Sequence, residues 1–391
     1  MTEPPDVVVC GRGVPGPGSP LLGIFELDQA RALADDGLSV VYAALDVRSV
    51  RRRRPWGLRH HVVDGVRVVE LSVPLGRLPR ALNRVLMTRL WDVLLAAVVR
   101  RHGRPRLLHG HFLPWTAPLA GARLLRGAAG VDAADGGRAR PRLVVTEHWS
   151  QLQDRIDPAV RALGQAVYPR CDAVVAVSRP LAETIGREFG VAAEVVPDII
   201  DVDTFAPMAG TPREPGVRLV ATGNLIVRKN FDGLLRAFAA AAPPDARLTI
   251  IGQGPERERL EARAQSLGVA DRVRFAGRLA RDEMAAEYGG ATGFALASHA
   301  ETFGVVWAEA MAAGLPVLAT RCGGPEDFVT DDDGVIVEDT DEALAAGMAQ
   351  LCAGITAGRW DAAATSARAG ARFSAPAVVA QLRQVYATLE P

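Results

Sequence analysis

The stretch "HAETFGVVWAEAMAAGLPVLATRCGGPEDFV", residues 299–329, decides the fold. A helix starts near Val305, just behind Gly304, and stops at Gly314, where glycine takes the left-handed backbone of a helix end at little cost. LPVLAT (315–320) follows at once. A short, wholly apolar run of this kind reads as a strand covered on both faces. A helix feeding a buried strand is half of a βαβ unit, so the surrounding chain should build a parallel sheet.

The same alternation extends in both directions. Downstream of residue 217, RLVATGNL (218–225), ARLTIIGQG (246–254), RVRFAGRL (272–279) and GFALAS (293–298) read as strands, with NFDGLLRAFAAA as a helix. Upstream, DVVVCG (6–11), LSVVYAALD (38–46), RLLHGHF (106–112), RLVVTEH (142–148) and AVVAVS (173–178) read as strands, and 24–37 as an amphipathic helix. Between the two series lies MAGTPREPG (208–216), polar and rich in Pro and Gly, which reads as a linker. The expected division is a domain over 1–205, a second over 217–371, and a closing helix over 372–391 that returns to the first. At 391 residues the chain has length for two cores, with ligands expected in a cleft between them.

Composition narrows the function. Hydrophobic residues make up 49% and charged ones 23%, the balance of a globular protein. No apolar run reaches the ~20 residues needed to span a bilayer, and the opening MTEPPDVVVCG does not read as a signal peptide. Four cysteines far apart, without CxxC spacing, argue for a reduced, cytoplasmic protein. The formal net charge is zero, yet residues 1–205 carry 27 Arg against 22 acids and 206–391 carry 18 basic against 23 acidic residues. Residues 48–106 hold 15 Arg against three acids, including Arg51, Arg52, Arg53 and Arg54 in a row. This is either a solvated face or a surface for an anionic acceptor or an acidic membrane leaflet. Nucleic acid is not expected, because the segment lacks interleaved aromatics and any binding motif.

Several motifs carry chemistry. Gly11, Gly13 and Gly16 spell GxGxxG after the first strand, but Pro15, Pro17 and Pro20 crowd the place where a dinucleotide-binding helix should begin. That segment reads as a loop. At 299–329, Glu301 lies in a loop and Glu309 one turn into the helix. Amides behind Gly304, at Val305 and beyond, are free donors suited to phosphate. Glu309 can accept paired hydrogen bonds from ribose hydroxyls, and Glu301 can reach hydroxyls beyond the phosphate. An acidic first turn complementing the helix dipole would explain Glu309 but not Glu301. His148 ends a parallel strand, where open α/β sheets present ligand groups. His109 and His111 sit at another strand end; a metal would need a third ligand, none is apparent, and a satisfied structural role is expected. GxSxG and the P-loop GxxxxGK[ST] are both absent.

The Glu301-x7-Glu309 block with GGPEDFV resembles the Glu-x7-Glu motif of retaining GT-B glycosyltransferases, family 4. GIFELDQARAL, HGHF, VVTEHW, VVPDIIDVDTF, IIGQGPERERLEARAQSLGVADRVRFAGRL and FSAPAVVAQLRQVYATL match the family's other blocks in order. The resemblance implies two Rossmann-like domains and a retaining, metal-independent transfer without a cofactor. It implies a nucleotide-diphosphate sugar held by Gly223, Asn224, Arg228, Lys229, Gly277, Arg278, Leu279, Glu301, Phe303, Gly304, Val305 and Glu309. Lys229 is the only lysine among the 45 basic residues, at the position where the family's lysine contacts the donor diphosphate. Asn224 stands where the family's arginine is usual, leaving Arg228 to supply the second charge or to face solvent. Asp198 stands where the family usually has asparagine. His148 takes a place beside the donor sugar, and Gly23, His111 and Arg51–Arg54 fall on the acceptor side.

The expected function is therefore sugar transfer to a glycan, lipid-linked or small-molecule hydroxyl, in envelope glycan or natural-product assembly, with peripheral contact at an anionic membrane. Catalysis would fall to His148, Lys229 and Glu301. Two other classes share these features: a GT-B epimerase or phosphorylase, and a non-catalytic module that binds sugar nucleotides.

Overall fold

The computed structural model describes all residues except 1–3, 17–18, 20–21, 49–54, 76–78, 127–139, 154–155, 214 and 390–391. The arginine run Arg51–Arg54 thus lies outside the described residues. The chain forms two compact units: Met1–Val177, Ala182–Ile199 and Val378–Pro391 make the first, and Ser178–Leu181 with Ile200–Ala377 the second.

In the first unit the chain runs β1 (Val7–Gly11), α1 (Ile24–Asp35), β2 (Val40–Arg48), β3 (Gly57–Val63), β4 (Val66–Pro74) and α2 (Arg80–His102). It continues through β5 (Leu107–His111), α3 (Leu113–Leu119), β6 (Arg142–Glu147), α4 (Pro158–Val167), β7 (Ala173–Ala176), α5 (Arg179–Phe189) and β8 (Glu194–Val195). The eight strands lie in the order β3-β4-β2-β1-β5-β6-β7-β8. Val7 pairs in parallel with Val40 on one side and Leu107 on the other, so β1 is central. Its three valines are at most 2% exposed, as the continuous apolar run requires.

The sheet is not wholly parallel. β3 pairs antiparallel with β4, with Val63 opposite Val66 across Asp64-Gly65. Both turn residues have positive φ, 46° and 82°, the type I′ geometry that suits the twist of a two-residue hairpin. Asp-Gly between two runs of alternating pattern is the signal for this hairpin in the sequence. Charge is partly neutralised in the hairpin, where Arg59 pairs with buried Glu70 at 2.7 Å, and in β2, where Arg48 pairs with buried Asp46 at 2.6 Å.

GxGxxG indeed lies in a loop, and α1 opens only at Ile24 behind Gly23. Gly23 has φ 71°, and a Cβ there would meet the Gly13 carbonyl oxygen at 2.3 Å. The Tyr42 hydroxyl, buried, donates to that same carbonyl at 2.7 Å and fastens the loop.

In the second unit, α6 (Val202–Phe205) precedes β9 (Arg218–Thr222), α7 (Phe231–Ala241), β10 (Arg247–Ile251), α8 (Arg257–Ser266), β11 (Val273–Gly277), α9 (Arg281–Gly290) and β12 (Gly293–Ala295). After α10 (Val305–Ala312), β13 (Val317–Thr320) and β14 (Gly334–Val337) come α11 (Asp341–Thr356), α12 (Ala362–Phe373) and α13 (Ala375–Ala387). The sheet order is β11-β10-β9-β12-β13-β14, parallel throughout. This is the doubly wound order 3-2-1-4-5-6 of dinucleotide-binding folds, with its switch point beside β9. Fully buried Trp307 anchors α10 by donating its ring N–H to the Leu318 carbonyl at 3.0 Å.

The run 208–216, read from sequence as a linker, packs into the second unit. Arg213 donates to the Ala313 carbonyl at 2.7 Å, satisfying an end of the chain beyond α10. The division between units falls earlier, at Ile199/Ile200. From Val378 onward the closing helix groups with the first unit, where the Tyr386 hydroxyl lies 2.6 Å from His109 Nδ1 and Arg383 donates to the Asp36 carbonyl at 2.8 Å.

Candidate functional site

In the second unit the site is built at the C-terminal ends of β9 and β12. After β9 the chain turns through Gly223 and Asn224 into a helical turn, Val227–Lys229. Gly252 and Gly254 let the next βα loop press against it backbone to backbone; a Cβ at Gly252 would sit 1.8 Å from the Gly223 carbonyl oxygen. Lys229 Nζ reaches Glu301 Oε1 at 2.5 Å. Arg228 donates to the Ala300 carbonyl at 2.6 Å and lies 3.4 Å from Glu301 Oε2. Arg228 therefore faces the Glu301 loop rather than solvent, and Asn224 is exposed. Sequence spacing gave no sign that residues 72 positions apart form one ion pair.

Backbone bonds fix Glu301 from both sides: its N–H donates to the Cys322 carbonyl at 2.7 Å, and Gly324 N–H donates to the Glu301 carbonyl at 2.8 Å. Gly324 has no room for a side chain, since a Cβ would lie 2.1 Å from the Phe303 carbonyl oxygen. GGPEDFV is thus the floor under the Glu301 loop. Phe303 is buried against Phe328 and Phe373. Gly304, at φ 96°, begins α10 without a side-chain cap, leaving the Val305 amide as a donor.

Glu309 is 7% exposed and accepts no hydrogen bond on its side chain among the described residues. Burial raises its pKa to about 7, against the opposing pull of Arg281 and with a small further push from Asp201. Asp201 and Arg281, 3.0 Å apart, were not singled out from sequence, because 80 positions separate them along the chain. A buried carboxylate without a donor is costly unless a ligand supplies one. Gly277 has φ 78° and accepts from the Gly252 N–H at 2.8 Å; Arg278 beside it is exposed, and Leu279 half-buried.

The first unit gathers a separate cluster at the ends of β1, β5 and β6. His148 Nε2 lies 2.9 Å from His111 Nδ1, and its Nδ1 lies 2.8 Å from Asp198. The rings of His109, His111 and His148 stack in series at 4.9 and 5.2 Å. His109 is held by Thr146 at 2.7 Å and Gln29 at 2.9 Å, and burial pushes its pKa down to about 3, so it is a neutral core histidine. Burial also holds His111 well below the usual range. For His148 burial acts downward too, but Asp198, with Glu26 and Glu147 behind it, outweighs burial and raises the pKa.

Three residues here were not singled out from sequence. Glu147, wholly buried, accepts from the N–H groups of Leu113, His148 and Trp149 and from the Tyr168 hydroxyl, tying α3 to the end of β6. Arg12 lies over the Phe112 ring at 3.8 Å and pairs with buried Glu26 at 2.8 Å. A strand-end glutamate flanked by His148 was the one available signal. Gly23 and His111 lie in this unit, apart from the residues grouped around Lys229.

Comparison with known proteins gives both halves the same assignment. Residues 25–204 match the model of Glycosyltransferase Family 4, and residues 210–365 that of Glycosyl transferases group 1. D-inositol 3-phosphate glycosyltransferase of Xylanimonas cellulosilytica is 31% identical over 94% of this chain and 91% of its own. GDP-mannose-dependent alpha-(1-6)-phosphatidylinositol monomannoside mannosyltransferase of Mycolicibacterium smegmatis is 31% identical over 54% of this chain and 61% of its own. Among solved structures, sucrose-phosphate synthase from Thermosynechococcus elongatus superposes with a TM-score of 0.75 over 99% of both chains at 21% identity.

Proposed function

The chain belongs to glycosyltransferase family 4, the glycosyl transferases group 1, with the GT-B fold; from that premise we propose that this glycosyltransferase moves a sugar from a nucleotide-diphosphate sugar to an acceptor hydroxyl with retention of configuration. The observation that carries the reading is Lys229 held 2.5 Å from Glu301, ahead of the uncapped start of α10 and the donorless carboxylate of Glu309. Lys229 and the Val305 amide would take the departing diphosphate, whose bridging oxygen gains charge as the sugar becomes oxocarbenium-like. Glu309 would accept from the two ribose hydroxyls, and Glu301, released from Lys229 as phosphate arrives, from sugar hydroxyls. The family resemblance assigns His148 to the donor sugar as well. The acceptor hydroxyl would attack on the face the leaving group vacates and pass its proton to the leaving phosphate oxygen. No metal or cofactor enters this scheme.

The acceptor side falls to the first unit, and the reading includes peripheral contact with an anionic membrane from the cytoplasmic side. The outer face of α2 supports it, with Leu82, Val85 and Val93 each more than half exposed and Arg84, Arg89 and Arg100 exposed alongside. No helix among the described residues is long and apolar enough to cross a membrane. A glycan or lipid-linked acceptor of the cell envelope fits both features, and the curated relatives named above act on inositol compounds by their names.

A thermal-shift screen against UDP-, GDP-, ADP- and dTDP-sugars tests the donor assignment. One series should raise the melting temperature, since ligand at a hundred times its Kd adds about 2.7 kcal/mol to the native state. No shift with any nucleotide sugar would remove the assignment.

A further inference from the structure

The first unit contains a chain of three polar side chains: a carboxylate, Asp198, against His148 Nδ1 at 2.8 Å, and His148 Nε2 against His111 Nδ1 at 2.9 Å. All three are nearly inaccessible, at 8% for Asp198 and 1% for His111, with the His148 side chain at 8%. Two imidazole nitrogens at hydrogen-bond distance need one donor and one acceptor between them. Burial keeps His111 neutral, while Asp198 beside Nδ1 favours the charged form of His148, whose Nε2–H then donates to His111 Nδ1. We propose that Asp198 is a positioning residue for glycosyl transfer: it keeps His148 doubly protonated, and His148 in turn fixes His111 in the tautomer that carries its proton on Nε2.

The groups facing this chain agree with that state. On α1, Glu26 lies near His148 with a second oxygen, Oε2, that is buried and without a partner among the described residues. On β6, Glu147 adds negative charge. Phe25 stacks on the His148 ring at 5.9 Å and Phe112 tilts against it at 4.9 Å, neither competing for its protons. Asp28 and Gln29 of α1 line a cavity of about 20 Å³ with Asp198 and His148, room for one water beside the carboxylate. His109, next in the stack, is neutral and spends its nitrogens on Thr146, Gln29 and Tyr386, so it neither feeds nor drains the chain.

The consequence lies at His111 Nε2, a buried nitrogen with no partner among the described residues. With the proton forced onto it, this atom is an N–H donor without an acceptor, at the strand end read from sequence as the acceptor side. A buried donor left unmade is costly, and an oxygen acceptor brought against it recovers that cost. The chemical class that satisfies it is therefore an oxygen acceptor, such as a polyol hydroxyl, rather than an ammonium or other donor. Loss of Asp198 would let His148 deprotonate near neutrality and free His111 to take either tautomer.

This inference rests on the transferase reading only for its use, and the test separates the two. Histidine side-chain nitrogen NMR on the ligand-free protein reads charge state and tautomer directly. In the wild type His148 should titrate above the ordinary histidine pKa of ~6.5, with His111 protonated on Nε2 below that titration. In Asp198→Asn, an amide of the same shape, His148 should titrate at or below ~6.5 and His111 should lose its single tautomer. A wild-type His148 that titrates at or below ~6.5 overturns the proposal, even if the variant cannot be folded. So does an unshifted His148 titration in a folded variant. The kinetic arm reads kcat/KM against pH: the variant should lose about tenfold per unit of rising pH above its new pKa, while the wild type stays level. Parallel profiles overturn the positioning role, whereas absence of turnover in both proteins points instead to the transferase reading.

Discussion

Glu309 pits the cost of burial against the need of a ligand. Its pKa of about 7 lies well above the usual 4.5 because water is excluded from the carboxylate. The folded protein therefore binds one more proton than the unfolded chain between those values, and its stability falls as pH rises through that window. The difference integrates to about 3 kcal/mol, fully present as a penalty above pH 7. In the proposed reaction, ionised Glu309 is nevertheless the form that would accept two ribose hydroxyls. Nucleotide affinity should therefore rise with pH across the neutral range, while stability of the ligand-free protein declines. Glu309→Gln should flatten both trends, weaken nucleotide binding more than Glu301→Gln does, and stabilise the ligand-free protein at pH 8. Calorimetry and thermal melts at pH 6 and 8 measure this, and a stronger effect from Glu301→Gln would reverse the roles given to the two carboxylates. The two glutamates were legible in the sequence because their spacing around Gly304 is itself a local pattern. Their partners were not. Lys229 with Glu301, and Arg281 with Asp201, are set by the sheet order, which brings distant strand ends together.

At the scale of elements, apolar runs of six to nine residues marked ten of the fourteen described strands, seven of them to within two residues at both ends, because strands buried on both faces need an unbroken apolar surface. β3 escaped for the opposite reason. β3 is an edge strand whose residues alternate between half-buried and exposed, so its pattern is diluted by Arg59, His60 and His61. α2 escaped because its outward face is apolar as well, so the usual contrast between faces is missing. The proposed membrane contact would use that anomaly. Leu82, Val85 and Val93 expose apolar surface beside Arg84, Arg89 and Arg100, and each arginine near an anionic leaflet contributes about 1 kcal/mol. The protein should cosediment with phosphatidylglycerol vesicles and much less with phosphatidylcholine ones, and should be released by added salt. The triple variant L82N/V85N/V93N should keep its fold, since all three side chains are exposed, and lose most of the binding. Equal binding of wild type and variant, or none to either lipid, would remove the membrane from the account.

For the whole molecule, the restart of the βα pattern near residue 217 made two domains legible, but not where the chain divides. Pro and Gly in 208–216 looked like a linker, yet Arg213 ties that run to the end of α10, and polar composition cannot reveal a bond made to a distant carbonyl. The opposite charge balance of the two halves was visible from composition alone. So was the solitary lysine in an arginine-rich chain, and it carries the central claim. A compact ammonium on a flexible stem can move from Glu301 to a diphosphate oxygen, which the planar fork of an arginine does less readily. The decisive measurement is release of nucleoside diphosphate from the donor sugar by the wild type and by Lys229→Ala, with a melting curve for each. The variant should melt close to the wild type but turn over at least about a hundredfold more slowly, a loss of ~2.7 kcal/mol in transition-state stabilisation. Near-native turnover in a folded Lys229→Ala protein would contradict the account.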